Sequence, residues 1–203
     1  MSVKVKICGV CRAEDAAAAV RLGADFVGLN FHPASPRHVT PEAAREIAAA
    51  VSGTALVGVF VDAPRALVED VAAGVGLAAL QFHGEEDPDY CRGWPWRVIK
   101  ALRARAGADL AAEARRYDVD YVLVDSFVPG RPGGTGVPLD AAVAAPLPAA
   151  RLFVAGGLRP DTVAGVVRAV RPFAVDVASG VEEHPGRKDH GKLEEFIRRA
   201  KAA

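Results

Sequence analysis

Residues 3–9 read Val3-Lys4-Val5-Lys6-Ile7-Cys8-Gly9. Apolar and polar residues alternate, which is the period of a half-buried strand. Val3, Val5 and Ile7 therefore share one face, and Lys4, Lys6 and Cys8 share the other. Cys8 closes the run, and Gly9 lets the chain turn. Seven more β-type runs follow, at 25–31, 55–61, 77–82, 97–101, 120–125, 151–155 and 173–178. Helical patterns near 12–22, 41–51, 64–74, 87–92, 108–117, 139–145, 160–170 and 189–202 separate and follow them. Thr40-Pro41 and Arg159-Pro160-Asp161 supply helix-start signals, and Pro146 and Pro148 cut the sixth helix short. Strict alternation of strand and helix implies a parallel sheet. Eight units favour a closed α/β architecture, the (β/α)8 TIM barrel, as a single domain over 1–203. The rival is an open doubly wound sheet. It is weakened because no Gly-x-Gly-x-x-Gly follows the first strand.

Composition narrows the function classes. The 203 residues carry 25 basic and 25 acidic side chains, a formal net charge of zero, which argues against a polyanion-binding surface and a nucleic-acid partner. No apolar run approaches the roughly 18 residues of a membrane span. Three cysteines, an odd number, are expected as reduced thiols in a cytoplasmic protein.

Alternate residues of a barrel strand face the axis. By parity Lys4, Lys6, Cys8, Gln81, His83, Lys100, Leu123, Asp125, Asp176 and Ala178 are expected there. Val5, Ile7, Leu80, Phe82, Ile99, Val122, Val124, Val175 and Val177 are expected against the helices. Charges on the axis are costly unless paired or wetted. One account is structural: Lys6 or Lys100 paired with Asp125 or Asp176. The other is a catalytic mouth, because Cys8, His83 and Asp125 stand at C-terminal strand ends, where barrel active sites are built.

Three glycine-bearing loops sit at that same end. Gly133-Gly134-Thr135-Gly136 follows the sixth strand beyond Arg131, Ala155-Gly156-Gly157-Leu158 closes the seventh, and Ala178-Ser179-Gly180-Val181-Glu182 closes the eighth. Glycines let backbone N–H groups approach an anion, and the loops after strands seven and eight are a recurrent barrel phosphate site. Together they read as the grip on a phosphate ester. Arg37, in Ser35-Pro36-Arg37, presents a planar fork suited to a second anionic group of the ligand, or is an ordinary surface arginine.

Cys8 and Cys11 form a Cys-x-x-Cys pair, which could be a redox dithiol or half of a zinc site. Further ligands for zinc are wanting, so no metal is expected, and Cys11 reads as an incidental residue at a helix start. Cys8 with Asp125 is the more economical pair. A thiolate can take a proton from carbon, and a carboxylic acid can give one to oxygen. That chemistry asks for a thiol pKa moved down, for which Lys6 is the candidate cation, and a carboxyl pKa moved up.

The set Lys6-Ile7-Cys8-Gly9, Gly28-Leu29-x-Phe31, Ser35-Pro36-Arg37-x-Val39, Gln81-Phe82-His83-Gly84, Asp125-Ser126, Gly133-Gly134-Thr135-Gly136, Ala155-Gly156-Gly157-Leu158, Asp176-Val177-Ala178-Ser179-Gly180-Val181-Glu182 and Pro185-Gly186-x-Lys188-Asp189 resembles phosphoribosylanthranilate isomerase. The likeness runs from Lys6 to Phe196 in order and spacing. It implies a (β/α)8 barrel of tryptophan biosynthesis and a cofactor-free Amadori rearrangement. By the resemblance Asp125 is the general acid and Cys8 the general base, Arg37 holds the anthranilate carboxylate, His83 lines the site, and Asp176 contacts ribose hydroxyls. Phosphate falls to the backbone of Gly134, Thr135, Gly136, Gly156, Gly157, Ser179 and Gly180. The expected partner is a small phosphosugar, bound by a monomer or homodimer. Departures from the family pattern are Cys11 where threonine is frequent, Phe82 for a common leucine, and Leu139-Asp140-Ala141 in place of an aromatic pair. The alternatives are another phosphosugar isomerase or epimerase, and a binding barrel without chemistry.

Overall fold

The computed structural model describes residues 2–104, 109–126 and 147–203. Eight strands pair in chain order into a closed barrel. They are β1 (Lys4–Ile7), β2 (Phe26–Asn30), β3 (Ala55–Phe60), β4 (Ala79–Phe82), β5 (Arg97–Ala104), β6 (Tyr121–Ser126), β7 (Leu152–Ala155) and β8 (Ala174–Val177). All these pairings are parallel, and β8 closes onto β1 with Asp176 opposite Lys6. The barrel expected from the alternation is the one observed.

The helices described are α1 (Ala13–Arg21), α2 (Pro41–Ala49), α3 (Arg65–Val75), α4 (Leu110–Arg115), α5 (Val163–Val170) and α6 (His190–Lys201). Their starts have local causes. Thr40 accepts from the Ala43 N–H, Asp109 from Ala112 and Asp189 from Lys192, each stabilising its helix by about 0.5–2 kcal/mol. Helix α6 buries Leu193, Phe196, Ile197 and Ala200 and leaves Arg198, Arg199 and Lys201 in its last turn, where they complement the helix dipole. A short antiparallel hairpin, β9 (Glu182–His184) and β10 (Arg187–Lys188), follows β8.

Apolar side chains divide into two cores. Inside the barrel lie Val57, Ala79, Ile99, Ala101, Leu123, Phe153, Ala155 and Ala174, with Phe26, Tyr121 and Phe173 packed against them at the N-terminal end. Tyr121 and Phe173 stack there with ring centroids 4.9 Å apart. Between sheet and helices lie Val5, Ile7, Leu80, Phe82, Val122, Val124, Val175 and Val177. The interior is thus a packed core rather than a pore.

Three expectations are corrected. On β5 the faces are exchanged: Ile99 is in the interior core, and Lys100 stands opposite Phe82, on the helix side. The cause is register, because Gln81 pairs with Ile99 rather than with the lysine. Lys100 accordingly binds Glu86 at 2.6 Å and the Gly84 carbonyl at 2.8 Å, not Asp125 or Asp176. Second, no helix forms over 87–92. Asp87 caps a turn through the Tyr90 N–H at 2.7 Å, and Gly93 at positive φ ends it before Pro95. Third, α5 begins at Val163, because Arg159–Thr162 closes on itself through the Thr162 hydroxyl. The sixth expected helix, 139–145, lies outside the described residues.

Candidate active site

Cys8 follows β1 directly and donates its N–H to the Val177 carbonyl of β8 at 2.8 Å. Its thiol lies over Gly28 of β2; a Cβ there would come within 2.9 Å of Sγ. Lys6, one pleat below, donates to Asp176 Oδ1 at 2.9 Å, and the two side chains are only 0% and 8% exposed. Burial opposes the Lys6 charge, but Asp176 and Cys8 outweigh it and leave its pKa raised. For Cys8 burial dominates and pushes the thiol up; Lys6 and Lys188 pull it down without cancelling the rise. The lowered thiol expected from Lys6 is therefore corrected. One nearby ammonium, itself shared with Asp176, does not offset the loss of water around a thiolate.

On the opposite side, Asp125 shares the inward parity of Leu123 on β6. His83, immediately after β4, brings Nε2 to 3.5 Å from Asp125 Oδ2. Its Nδ1 lies 2.9 Å from Gln81 Nε2, while Gln81 Oε1 is buried without a partner among the described residues. The Gln81 amide orientation and the His83 tautomer are thus set together: an oxygen turned toward the ring would require Nδ1–H. Arg103 stands in register with Asp125 at the rim of β5 and reaches Glu85 at 3.3 Å.

Arg37 is partly buried and faces Glu182, which accepts from Nε at 2.8 Å and Nη2 at 2.6 Å. Lys188 Nζ joins the same carboxylate at 2.9 Å. Burial would raise the Glu182 carboxyl, but bonds from Arg37 and Lys188 leave it lowered. Burial likewise lowers the Lys188 pKa despite its partner.

Two of the three glycine loops are described. Gly156 and Gly157 both hold positive φ, 89° and 63°, a conformation side chains rarely adopt. Ser179–Val181 forms a single 3-10 turn after β8. A Cβ on Gly180 would lie 1.9 Å from the Leu158 carbonyl, so this glycine is what lets the two loops touch. Gly134, Thr135 and Gly136, with Arg131, lie outside the described residues. Among the described residues no cluster of His, Cys, Asp and Glu could hold a metal ion. Cys11 spends its thiol on the Arg37 carbonyl at 3.4 Å.

Sequence reasoning left Arg103, Glu86, Glu182 and Lys188 without roles. Arg103 was obscured by the exchanged β5 faces. Glu182 and Lys188 stood in the quoted motifs, but nothing in their spacing shows that they share a partner.

The N-(5'-phosphoribosyl)anthranilate isomerase family profile matches residues 5–199. The chain belongs to this family. The isomerase of Thiobacillus denitrificans is 47% identical over 210 residues, covering all of both chains. The crystal structure of the Thermotoga maritima isomerase superposes with a TM-score of 0.90 at 40% identity, over 99% of this chain and all of that one. A further crystal structure of the isomerase, holding reduced 1-(o-carboxyphenylamino)-1-deoxyribulose 5-phosphate, matches at TM-score 0.85 and 39% identity, over 99% of this chain and all of that one. Among the described residues no helix is long and apolar enough to cross a membrane.

Proposed function

We propose that this chain isomerises N-(5-phosphoribosyl)anthranilate to 1-(2-carboxyphenylamino)-1-deoxyribulose 5-phosphate, with Asp125 as general acid and Cys8 as general base. Family membership over residues 5–199 is the observation that carries the reaction. Asp125 protonates the ribose ring oxygen, and the furanose opens to a Schiff base. Cys8 then takes the C2 proton, leaving an enolamine that tautomerises to the ketone. Hydrogen moves only within the substrate, so oxidation at C2 balances reduction at C1 and no cofactor is required.

Substrate contacts are assigned around this pair. Arg37 holds the anthranilate carboxylate with its Nη1–Nη2 edge, since Glu182 takes the Nε–Nη2 edge. His83 lines the site beside Asp125, supported by their 3.5 Å approach. Asp176 meets ribose hydroxyls from its place opposite Lys6. Phosphate sits on the backbone of Gly156, Gly157, Ser179 and Gly180, completed by Gly134, Thr135 and Gly136. The whole chain, 1–203, acts as one domain in the cytoplasm, alone or as a homodimer.

The test is loss of phosphoribosylanthranilate fluorescence with purified protein. Cys8→Ser and Asp125→Asn should each lower kcat/KM by about 10²–10⁴-fold with the fold intact by circular dichroism. Wild-type rates in either variant would sink the assignment.

A further inference from the structure

Glu182 and Lys188 have no part in the proposed chemistry, yet they bind the groups that do. The Glu182 carboxylate accepts from Arg37 Nε and Nη2, from Lys188 Nζ and from the Gly186 N–H at 3.5 Å. Lys188 Nζ also donates to the Cys8 carbonyl at 2.7 Å and the Ala178 carbonyl at 3.1 Å. Three acceptors occupy the three ammonium protons. One carbonyl belongs to the residue bearing the thiol, and the other directly precedes Ser179-Gly180. The ammonium is fully buried, and a buried cation so placed holds its partners tightly, because an unmet bond there would be costly.

We propose that Glu182 and Lys188 are positioning residues: Lys188 pins the Cys8 backbone to the start of the phosphate loop, and Glu182 turns Arg37 toward the substrate carboxylate. This rests on the roles assigned above to Cys8 and Arg37. The two charges also bias the thiol in opposite directions. Charged and titratable groups facing that thiol are Lys6 on β1, Asp176 on β8, Lys188 on β10 and Arg37, with Glu182 and Cys11 just behind. Removing Lys188 takes a cation from beside the thiolate. Converting Glu182 to Gln retains an oxygen for Lys188 and Arg37 Nε but removes the anion that neutralises both cations.

The experiment is iodoacetamide alkylation of Cys8 across a pH series, followed by peptide mass spectrometry, with kcat and KM measured alongside. Lys188→Met should slow Cys8 alkylation about tenfold at fixed pH, and Glu182→Gln should speed it about threefold or more. Both should lower kcat/KM, with Glu182→Gln raising KM because Arg37 Nη2 loses its acceptor and the guanidinium is aimed through Nε alone. A merely structural role would move both variants the same way. Alkylation shifting in one direction for both, or by less than twofold in Glu182→Gln, overturns the proposal. If Lys188→Met fails to fold by circular dichroism, the direction in Glu182→Gln decides alone. Wild-type turnover in Cys8→Ser would instead overturn the base assignment, a separate outcome because alkylation does not depend on turnover.

Discussion

Lys6→Met keeps an unbranched chain of similar length but removes the ammonium that faces Asp176. The wild-type pair is joined by one bond of 2.9 Å with both side chains almost wholly buried. Deleting one member of such a pair leaves an uncompensated charge, a cost of about 3–5 kcal/mol. For a chain of 203 residues that corresponds to a Tm lower by about 7–12 °C. The double variant Lys6→Met/Asp176→Leu removes both charges, and apolar replacement of a buried pair is neutral or stabilising by about 1–4 kcal/mol. It should regain most of the lost Tm without regaining turnover, because the proposed reaction uses Asp176 to meet the ribose hydroxyls. The pH dependence has a definite sign. Lys6 has a folded pKa raised above 10.5, so its contribution is complete below that value and fades as pH rises through the raised one. On the alkaline side, wild type should lose stability relative to the double variant only once the pH passes 10.5. Thermal melts by circular dichroism and the fluorescence assay measure both quantities. A single variant melting within about 2 °C of wild type, or a double variant no more stable than the single, refutes the reasoning.

Two further outcomes are expected. Cys11→Ser should leave kcat/KM within about twofold, because Cys11 bonds to backbone rather than to Cys8; a large loss would revive the dithiol reading. Burial raises the Cys8 thiol above the ordinary 9.0, so alkylation of the free enzyme should still be accelerating past pH 9.0. A plateau near neutrality, seen by peptide mass spectrometry over a pH series, would contradict it.

Much of the barrel was legible because its signals are local. Val3 to Cys8 shows its two faces by alternation alone, and Thr40-Pro41 marks the start of α2 where the structure has it. The 87–92 segment misled because a one-turn apolar pattern does not distinguish a short helix from a turn capped by Asp87. Likewise β5 misled because Lys100 looks like an axial charge in sequence. Only its register with Phe82, and the Glu86 carboxylate waiting behind the strand, show it on the helix side.

For the site the division is similar. Cys8, His83 and Asp125 were placed at strand ends by counting residues, since parity and strand order suffice to bring them to one mouth. By itself the sequence determined the alternation, the axial side of β1, β4, β6 and β8, and the glycine loops at the same end. Tertiary structure decided which charges meet. Glu182 joins Arg37 across 145 positions, and Lys6 joins Asp176 across 170. It also decided that the Cys8 thiol rises rather than falls, because desolvation depends on everything packed around a group, and no local pattern carries that quantity.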